Sequence, residues 1–222
     1  MIQANYHKYV LDFKRASGTS RGVLTQKETW FLILEKDGKK GIGECGILRG
    51  LSIDDRPDYE EKLKWVCENI QLGKQKLHDS LTEFPSIQFG VEMAFLSLQS
   101  KNPLELFPSD FTASKQSIPI NGLVWMGEPS YMKEQIEQKI AEGFNCIKLK
   151  IGAIDFDKEL ELLQFIRNHF DSKTIEIRVD ANGGFSPEEA LSKLNQLHKF
   201  DLHSIEQPIK QHQITEMADL CA

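Results

Sequence analysis

Four short apolar segments recur at nearly equal intervals along the second half of the chain, and this recurrence limits the fold more than any other feature. Ile120 in SIPINGL, Ile147 in CIKLKIG, Ile177 in IEIRVDANGG and Ile205 in HSIEQPI stand 27, 30 and 28 residues apart. Helical spacing fills the gaps. Met132, Ile136 and Ile140 form one stripe that ends at Gly143, a second helix is expected over about 155–170, and a third opens at Ser186-Pro187-Glu188-Glu189 and runs to about Lys199. Parallel strands need a long crossover, usually a helix. The pattern therefore predicts consecutive βα units, either closed into a barrel or laid open as a doubly wound sheet.

The first hundred residues follow a different order, strands first and helices after. NYHKYVLDF and TWFLILE are rich in β-branched and aromatic residues, and Asp37-Gly38 is a hairpin signal leading into GIGECG. Behind Pro57, Leu63, Val66 and Ile70 recur at helical spacing, and a second helix is expected from about Ser86 with Ile87, Val91, Ala94 and Leu98 on one face. This is α+β order. The Pro- and Ser-rich stretch KNPLELFPSDFTASKQS then marks a boundary, giving an α+β domain over 1–112 and a βα-repeat domain over 113–222.

Alternation along the strands raises the functional question. In CIKLKIG, Ile147, Leu149 and Ile151 share one face and Lys148 and Lys150 the other. Arg178 and Asp180 take the lysines' parity on the next strand, and Ser204 and Glu206 on the one after. Covering helices claim the apolar face. Buried charge is costly unless paired or bound to a cation, and the C-terminal ends of barrel strands are where catalysis sits in that fold. For any one of these residues alone, an internal salt bridge is an equal reading. Two lysines on one strand and carboxylates on the next two favour chemistry.

Charge and cysteine usage exclude other classes. With 27 Lys+Arg against 33 Asp+Glu the net charge is -6, and no basic block tracks a phosphate backbone, so nucleic acid is not an expected partner. No apolar run reaches membrane-spanning length, and MIQANYHKYVLDFKR lacks the pattern of a signal peptide, so a cytoplasmic protein with no membrane partner is expected. Cys45, Cys67, Cys146 and Cys221 have neither zinc-site nor disulfide spacing. The six histidines do not cluster with carboxylates, and Trp125 is open to either a pocket or a packing role.

KLK at 148–150, DAN at 180–182 and EQP at 206–208 together resemble the enolase superfamily, in its muconate-lactonizing subgroup. FKRASGTSRG at 13–22 and PINGLVWMG at 119–127 are similar to its branch that forms o-succinylbenzoate for menaquinone biosynthesis. The resemblance implies a (β/α) barrel with an α+β capping domain. It also implies a hydro-lyase that removes water from 2-succinyl-6-hydroxy-2,4-cyclohexadiene-1-carboxylate, a small-molecule carboxylate. Lys150 would be the acid/base with Lys148 beside it, Asp180 and Glu206 would ligate Mg²⁺, and Arg178 and Asn182 would support the metal site. A neighbouring cation should depress the pKa of one lysine. By the same resemblance Ser17, Gly18, Thr19, Ser20, Arg21 and Gly22 form a loop that closes over the substrate as a lid.

Such a barrel has eight βα units, and this chain holds the first four. The third metal carboxylate and a second acid/base lysine would lie past Ala222, so the chain of 222 residues is expected to be a piece of a longer protein and catalytically incomplete. Two other functions fit the same residues. One is a dipeptide epimerase or N-acylamino acid racemase of the subgroup, and the other is a non-catalytic binding or assembly module.

Overall fold

The computed structural model describes residues 1–19 and 22–221. The described residues fall into two compact units, one running to Ile118 and one starting at Pro119, a few residues past the expected boundary.

In the first unit β1 (Gln3–Thr19), β2 (Gly22–Lys36) and β3 (Lys39–Ile47) form one sheet in the order β1-β2-β3. Asp37 (φ 51°) and Gly38 (φ 75°) both take the left-handed conformation that a two-residue hairpin requires, with Lys36 opposite Lys39. The first two strands run further than their composition suggests. Ser17, Gly18 and Thr19 end β1 and Gly22 opens β2, so these four residues of the expected Ser/Gly loop belong to strands; Ser20 and Arg21 lie outside the described residues. Most of residues 8–16 are exposed on both faces, which leaves no alternation to read there.

Trp30, Leu32 and Leu34 of β2 and Cys45 and Ile47 of β3 pack on α1 (Tyr59–Glu68), α2 (Lys74–Asp79) and α3 (Pro85–Gln99) through Leu63, Val66, Leu77, Ile87, Val91 and Ala94. Helix α2, six residues long, is too short for its periodicity to register. The glycines of GIGECG have a packing reason beyond the turn. A Cβ on Gly43 would stand 1.8 Å from the Gly90 carbonyl oxygen, and one on Gly90 would stand 2.1 Å from Cys45 Sγ, so β3 and α3 meet backbone to backbone. On the same strand Glu44 Oε1 accepts from Lys27 Nζ and Thr29 Oγ1, each at 2.9 Å.

The second unit is a parallel sheet in the order β4-β5-β6-β7: β4 (Gly122–Val124), β5 (Cys146–Lys150), β6 (Glu176–Asp180) and β7 (Ser204–Glu206). Each strand leads to a helix, α4 (Pro129–Ala141), α5 (Phe156–His169), α6 (Pro187–Leu197) and α7 (Ile214–Cys221). Val124, Leu149, Val179 and Ile205 stand in register, at spacings of 25, 30 and 26 residues. The first strand therefore begins at Gly122 rather than in SIPI, and Ile118 and Ile120 are exposed. Because that offset is even, the parity of every strand is preserved.

Val124, Ile147, Leu149, Ile177 and Val179 form the core with Met132, Ile136, Leu163, Ile166, Ala190 and Leu197 from the helices. Helix α6 starts in a complete capping box between Ser186 and Glu189, as its sequence predicts, and the Asp155 side chain caps α5. At the other end of α5, the Arg167 guanidinium donates to the carbonyls of Phe200 (2.7 Å) and Ile175 (2.8 Å), tying the helix to the starts of the neighbouring strands.

Candidate active site

Register sets the ionisable groups in two rows across β5, β6 and β7. Lys150, Asp180 and Glu206 are partners at the C-terminal ends of the strands, and Lys148, Arg178 and Ser204 are partners two residues earlier. Lys150 Nζ lies 2.5 Å from Asp180 Oδ2 and 3.1 Å from Asn182 Oδ1. The Lys148 ammonium reaches forward to the same end, bonded to Glu206 Oε2 and 3.5 Å from Asp180 Oδ2. Five of the residues singled out in the sequence therefore converge: Lys148, Lys150, Asp180, Asn182 and Glu206. Arg178 does not join them. Its Nε sits 2.7 Å from Glu176 Oε1, toward the opposite end of the strands, where Cys146 Sγ also approaches Glu176 at 3.3 Å. Parity places a residue on a face, but a long side chain can lie toward either end, and Glu176, two residues earlier on the same face, captures this one.

Backbone bonds knit the loops that follow these strands. Ile151 N donates to Asp180 O (2.9 Å), Ala181 N to Glu206 O (3.0 Å), Gly183 N to Gln207 O (2.7 Å) and Phe185 N to Pro208 O (3.1 Å). Gly152 and Gly184 approach so closely that a Cβ on Gly184 would meet the Gly152 carbonyl oxygen at 2.7 Å. Asn182 (φ 48°), two residues past Asp180, and Gln207 (φ 43°), directly after Glu206, are left-handed, a conformation that costs a non-glycine residue energy and persists where surroundings enforce it. Asn182 also donates its backbone N–H to Asp180 Oδ1 at 3.0 Å.

Asp180 is 1% exposed and Glu206 is open, with 60% of its side chain exposed. Burial pushes the Asp180 carboxyl upward, but the Lys150 ammonium, the Asn182 amide and the charges of both lysines outweigh it and hold the group below the usual carboxylate range. The hydrogen bond to Glu206, aided by Asp180 against partial desolvation, raises Lys148. For Lys148 this is opposite to the depression expected of a paired lysine, because two carboxylates lie against its ammonium. Two carboxylates from adjacent strand ends, both turned toward cationic groups, are the hard oxygen donors that Mg²⁺ prefers, so the donor chemistry fits that ion. Among the described residues no three His, Cys, Asp or Glu side chains converge as a metal set.

Two residues of this region escape sequence reasoning. Glu159 of α5 is buried, and its Oε1 accepts from the backbone N–H of Gly152 (2.6 Å), Ala153 (3.3 Å) and Ile154 (3.5 Å), the loop directly after Lys150. Gln135 of α4 bonds the peptide of Trp125 at the end of β4. Both are polar residues on the apolar stripe of their helices, Glu159 in line with Leu163 and Ile166 and Gln135 beside Met132 and Ile136. That misplaced polarity is the signal that finds them.

Residues 1–98 match the family described as MenC, N-terminal domain, and residues 131–222 match Enolase C-terminal domain-like. The o-succinylbenzoate synthase of Desulfotalea psychrophila is 45% identical, over 100% of this chain and 68% of that protein. The crystal structure of MenC from the same organism matches with a TM-score of 0.86 at 41% identity, over 99% of this chain and 68% of that one. The o-succinylbenzoate synthase of Thermosynechococcus elongatus, with Mg in its active site, matches with a TM-score of 0.75 at 18% identity, over 99% of this chain and 65% of that one; this likeness is one of fold. The chain thus spans about two thirds of the length of these relatives.

Proposed function

Since the chain belongs to the o-succinylbenzoate synthase family of the enolase superfamily, we propose that the protein of which it forms part dehydrates 2-succinyl-6-hydroxy-2,4-cyclohexadiene-1-carboxylate to o-succinylbenzoate. The observation that carries this reading is the convergence of Lys148, Lys150, Asp180 and Glu206 at one end of three adjacent parallel strands.

Lys150, as the neutral amine, takes the proton α to the substrate carboxylate. The C–H electron pair becomes ring π density, the C–O bond to the hydroxyl breaks, and the proton from Lys150 leaves with that hydroxyl as water. One base suffices because the proton and the hydroxyl depart from the same face. Asp180 and Asn182 hold the Lys150 nitrogen from two sides, which limits the side-chain freedom lost when it meets the substrate. Lys148 holds a positive charge beside it, suited to the substrate's anionic groups. Asp180 and Glu206 would hold Mg²⁺, as supported by their donor chemistry and by the Mg in the Thermosynechococcus relative, and the ion would supply the charge that offsets the second negative charge built when the α-proton leaves. The composition and four free cysteines accord with a cytoplasmic setting.

Turnover of the cyclohexadiene substrate, compared with epimerisation of dipeptides under the same conditions, tests the reading. Mg²⁺-dependent appearance of an aromatic product is the expected result, and dipeptide epimerisation without dehydration would overturn it.

A further inference from the structure

Trp125 follows β4 directly, and one side chain holds both polar groups of its peptide. Gln135 Oε1 accepts from Trp125 N at 2.9 Å, and Gln135 Nε2 donates to Trp125 O at 3.1 Å. In extended backbone the N–H and C=O of one residue face the same edge, so the primary amide pairs with them as a neighbouring strand's peptide would. Gln135 is only 9% exposed, on the core-facing side of α4. An amide kept there with both atoms engaged satisfies a backbone that would otherwise be left half-paired where the strand gives way to its loop.

β4 ends at Val124, and the clamp holds the residue that follows it. Leu123 stands opposite Lys148 and Val124 opposite Leu149, and continuing that register by one step brings the next position level with Lys150. Val124 is fully buried toward the helices, and alternation gives Trp125 the other parity, that of Leu123, Lys148 and Lys150. Its indole is 45% exposed at that end of the sheet, whereas Trp30 in the first unit is 1% exposed. An exposed indole directly after the strand that pairs with the lysine strand has the form of a binding surface rather than of core filling.

We propose that Trp125 is a wall of the substrate site, contacting the ring that loses water, and that Gln135 is the positioning residue that sets it there; this rests on the dehydration reading above. The chemistry matches the shape. The substrate ring is puckered at its two tetrahedral carbons and flattens as it becomes aromatic, so stacking on a flat indole improves along the reaction and favours the transition state and product over the substrate.

The test uses the complete enzyme with Trp125→Phe, Trp125→Leu and Gln135→Met, the last matching glutamine in length without its hydrogen bonds. Trp125→Leu should lower kcat/KM by roughly three- to thirtyfold and weaken o-succinylbenzoate binding by a similar factor, while Trp125→Phe stays within about threefold of wild type. Gln135→Met should reproduce part of the Trp125→Leu loss, with an unchanged pH profile because no proton-transfer group is touched. A merely structural glutamine would lower the thermal midpoint and leave product affinity intact in the folded fraction. Should Gln135→Met fail to fold, the Phe and Leu pair at Trp125 decides. If wild type dehydrates the substrate but Trp125→Leu keeps kcat/KM and product affinity within twofold, the wall is refuted and the functional reading stands; if wild type itself does not dehydrate it, the functional reading fails, and the wall with it.

Discussion

Lys150 Nζ lies 2.5 Å from Asp180 Oδ2, and the two residues are register partners on adjacent parallel strands. The contact joins the only side chain assigned to move a proton with a carboxylate that water barely reaches, so fold and chemistry draw on the same ion pair. A residue with two duties is separable by substitution.

Lys150→Ala and Lys150→Arg make the separation. Both should lower kcat by at least ~10² to 10⁴, since alanine has no base and an arginine stays protonated at any working pH. Only alanine leaves Asp180 without its nearest countercharge, so its thermal midpoint should fall further than that of the arginine variant. Stopped-flow turnover and calorimetry on both variants check this, and substantial turnover by Lys150→Arg would rule the residue out as the base.

Asp180→Asn and Glu206→Gln should part company in stability and agree in metal dependence. Removing one partner of a buried ion pair costs ~3 to 5 kcal/mol, an upper bound here because the two lysines are each about a fifth exposed. Glu206 is open to solvent, where such pairs contribute ~0 to 1 kcal/mol. The wild-type midpoint should rise with added Mg²⁺, as any ligand of the folded state requires, and the rise should vanish in both variants. A Mg²⁺-dependent rise that survives Asp180→Asn would place the ion elsewhere.

How far the sequence foretells this site follows from what each residue's position depends on. Lys148, Lys150, Asp180 and Glu206 share a face legibly because strand alternation is local to β5, β6 and β7, the segments that the apolar pattern locates. Arg178 shares their face, yet its direction along the strand is chosen by Glu176, a tertiary outcome that parity cannot express. Strands β1 and β2 read too short because a segment exposed on both faces has no hydrophobic period. Gln135 and Glu159 are hidden for the opposite reason: they occupy apolar-stripe positions, and their partners are backbone groups of loops whose course no periodicity describes.

The contact between β3 and α3 yields a prediction in the first unit. Alanine is the better helix former by ~1 kcal/mol, yet Gly90→Ala should destabilise the protein, since the new Cβ would stand 2.1 Å from Cys45 Sγ and overpacking costs ~1 to 3 kcal/mol or more. Cys45→Ala removes that sulfur, and the next nearest atom to the new Cβ is Glu44 O at 3.1 Å. The double variant should therefore be less destabilised than the sum of the singles in urea unfolding. Strict additivity would show that the close approach is not what fixes glycine there.

Glu159 gives the pH dependence a specific sign. Burial raises its carboxyl, and the loop N–H groups of Gly152, Ile154 and Ala153 together with Lys193 offset this only in part. Its second oxygen, Oε2, is buried without a partner among the described residues, so ionisation places charge where half of it is unsolvated. A carboxyl whose folded pKa lies above its unfolded value of ~4.3 favours the fold most when protonated. That contribution is complete below the unfolded value and is lost as pH rises through the folded one. Glu159→Gln keeps an oxygen for the loop N–H groups and cannot ionise, so its stability relative to wild type should increase from pH 4 toward neutrality. Glu159→Ala leaves those N–H groups unpaired and should cost ~1 to 3 kcal/mol at every pH, with reduced protection of the Gly152 and Ala153 amides in hydrogen exchange. Urea unfolding of the three proteins at pH 4, 5.5 and 7 decides the matter: a Gln-minus-Glu difference that stays constant or shrinks with pH would mean that the carboxyl is ionised in the fold at no cost, and that the loop after Lys150 holds it as a charged acceptor.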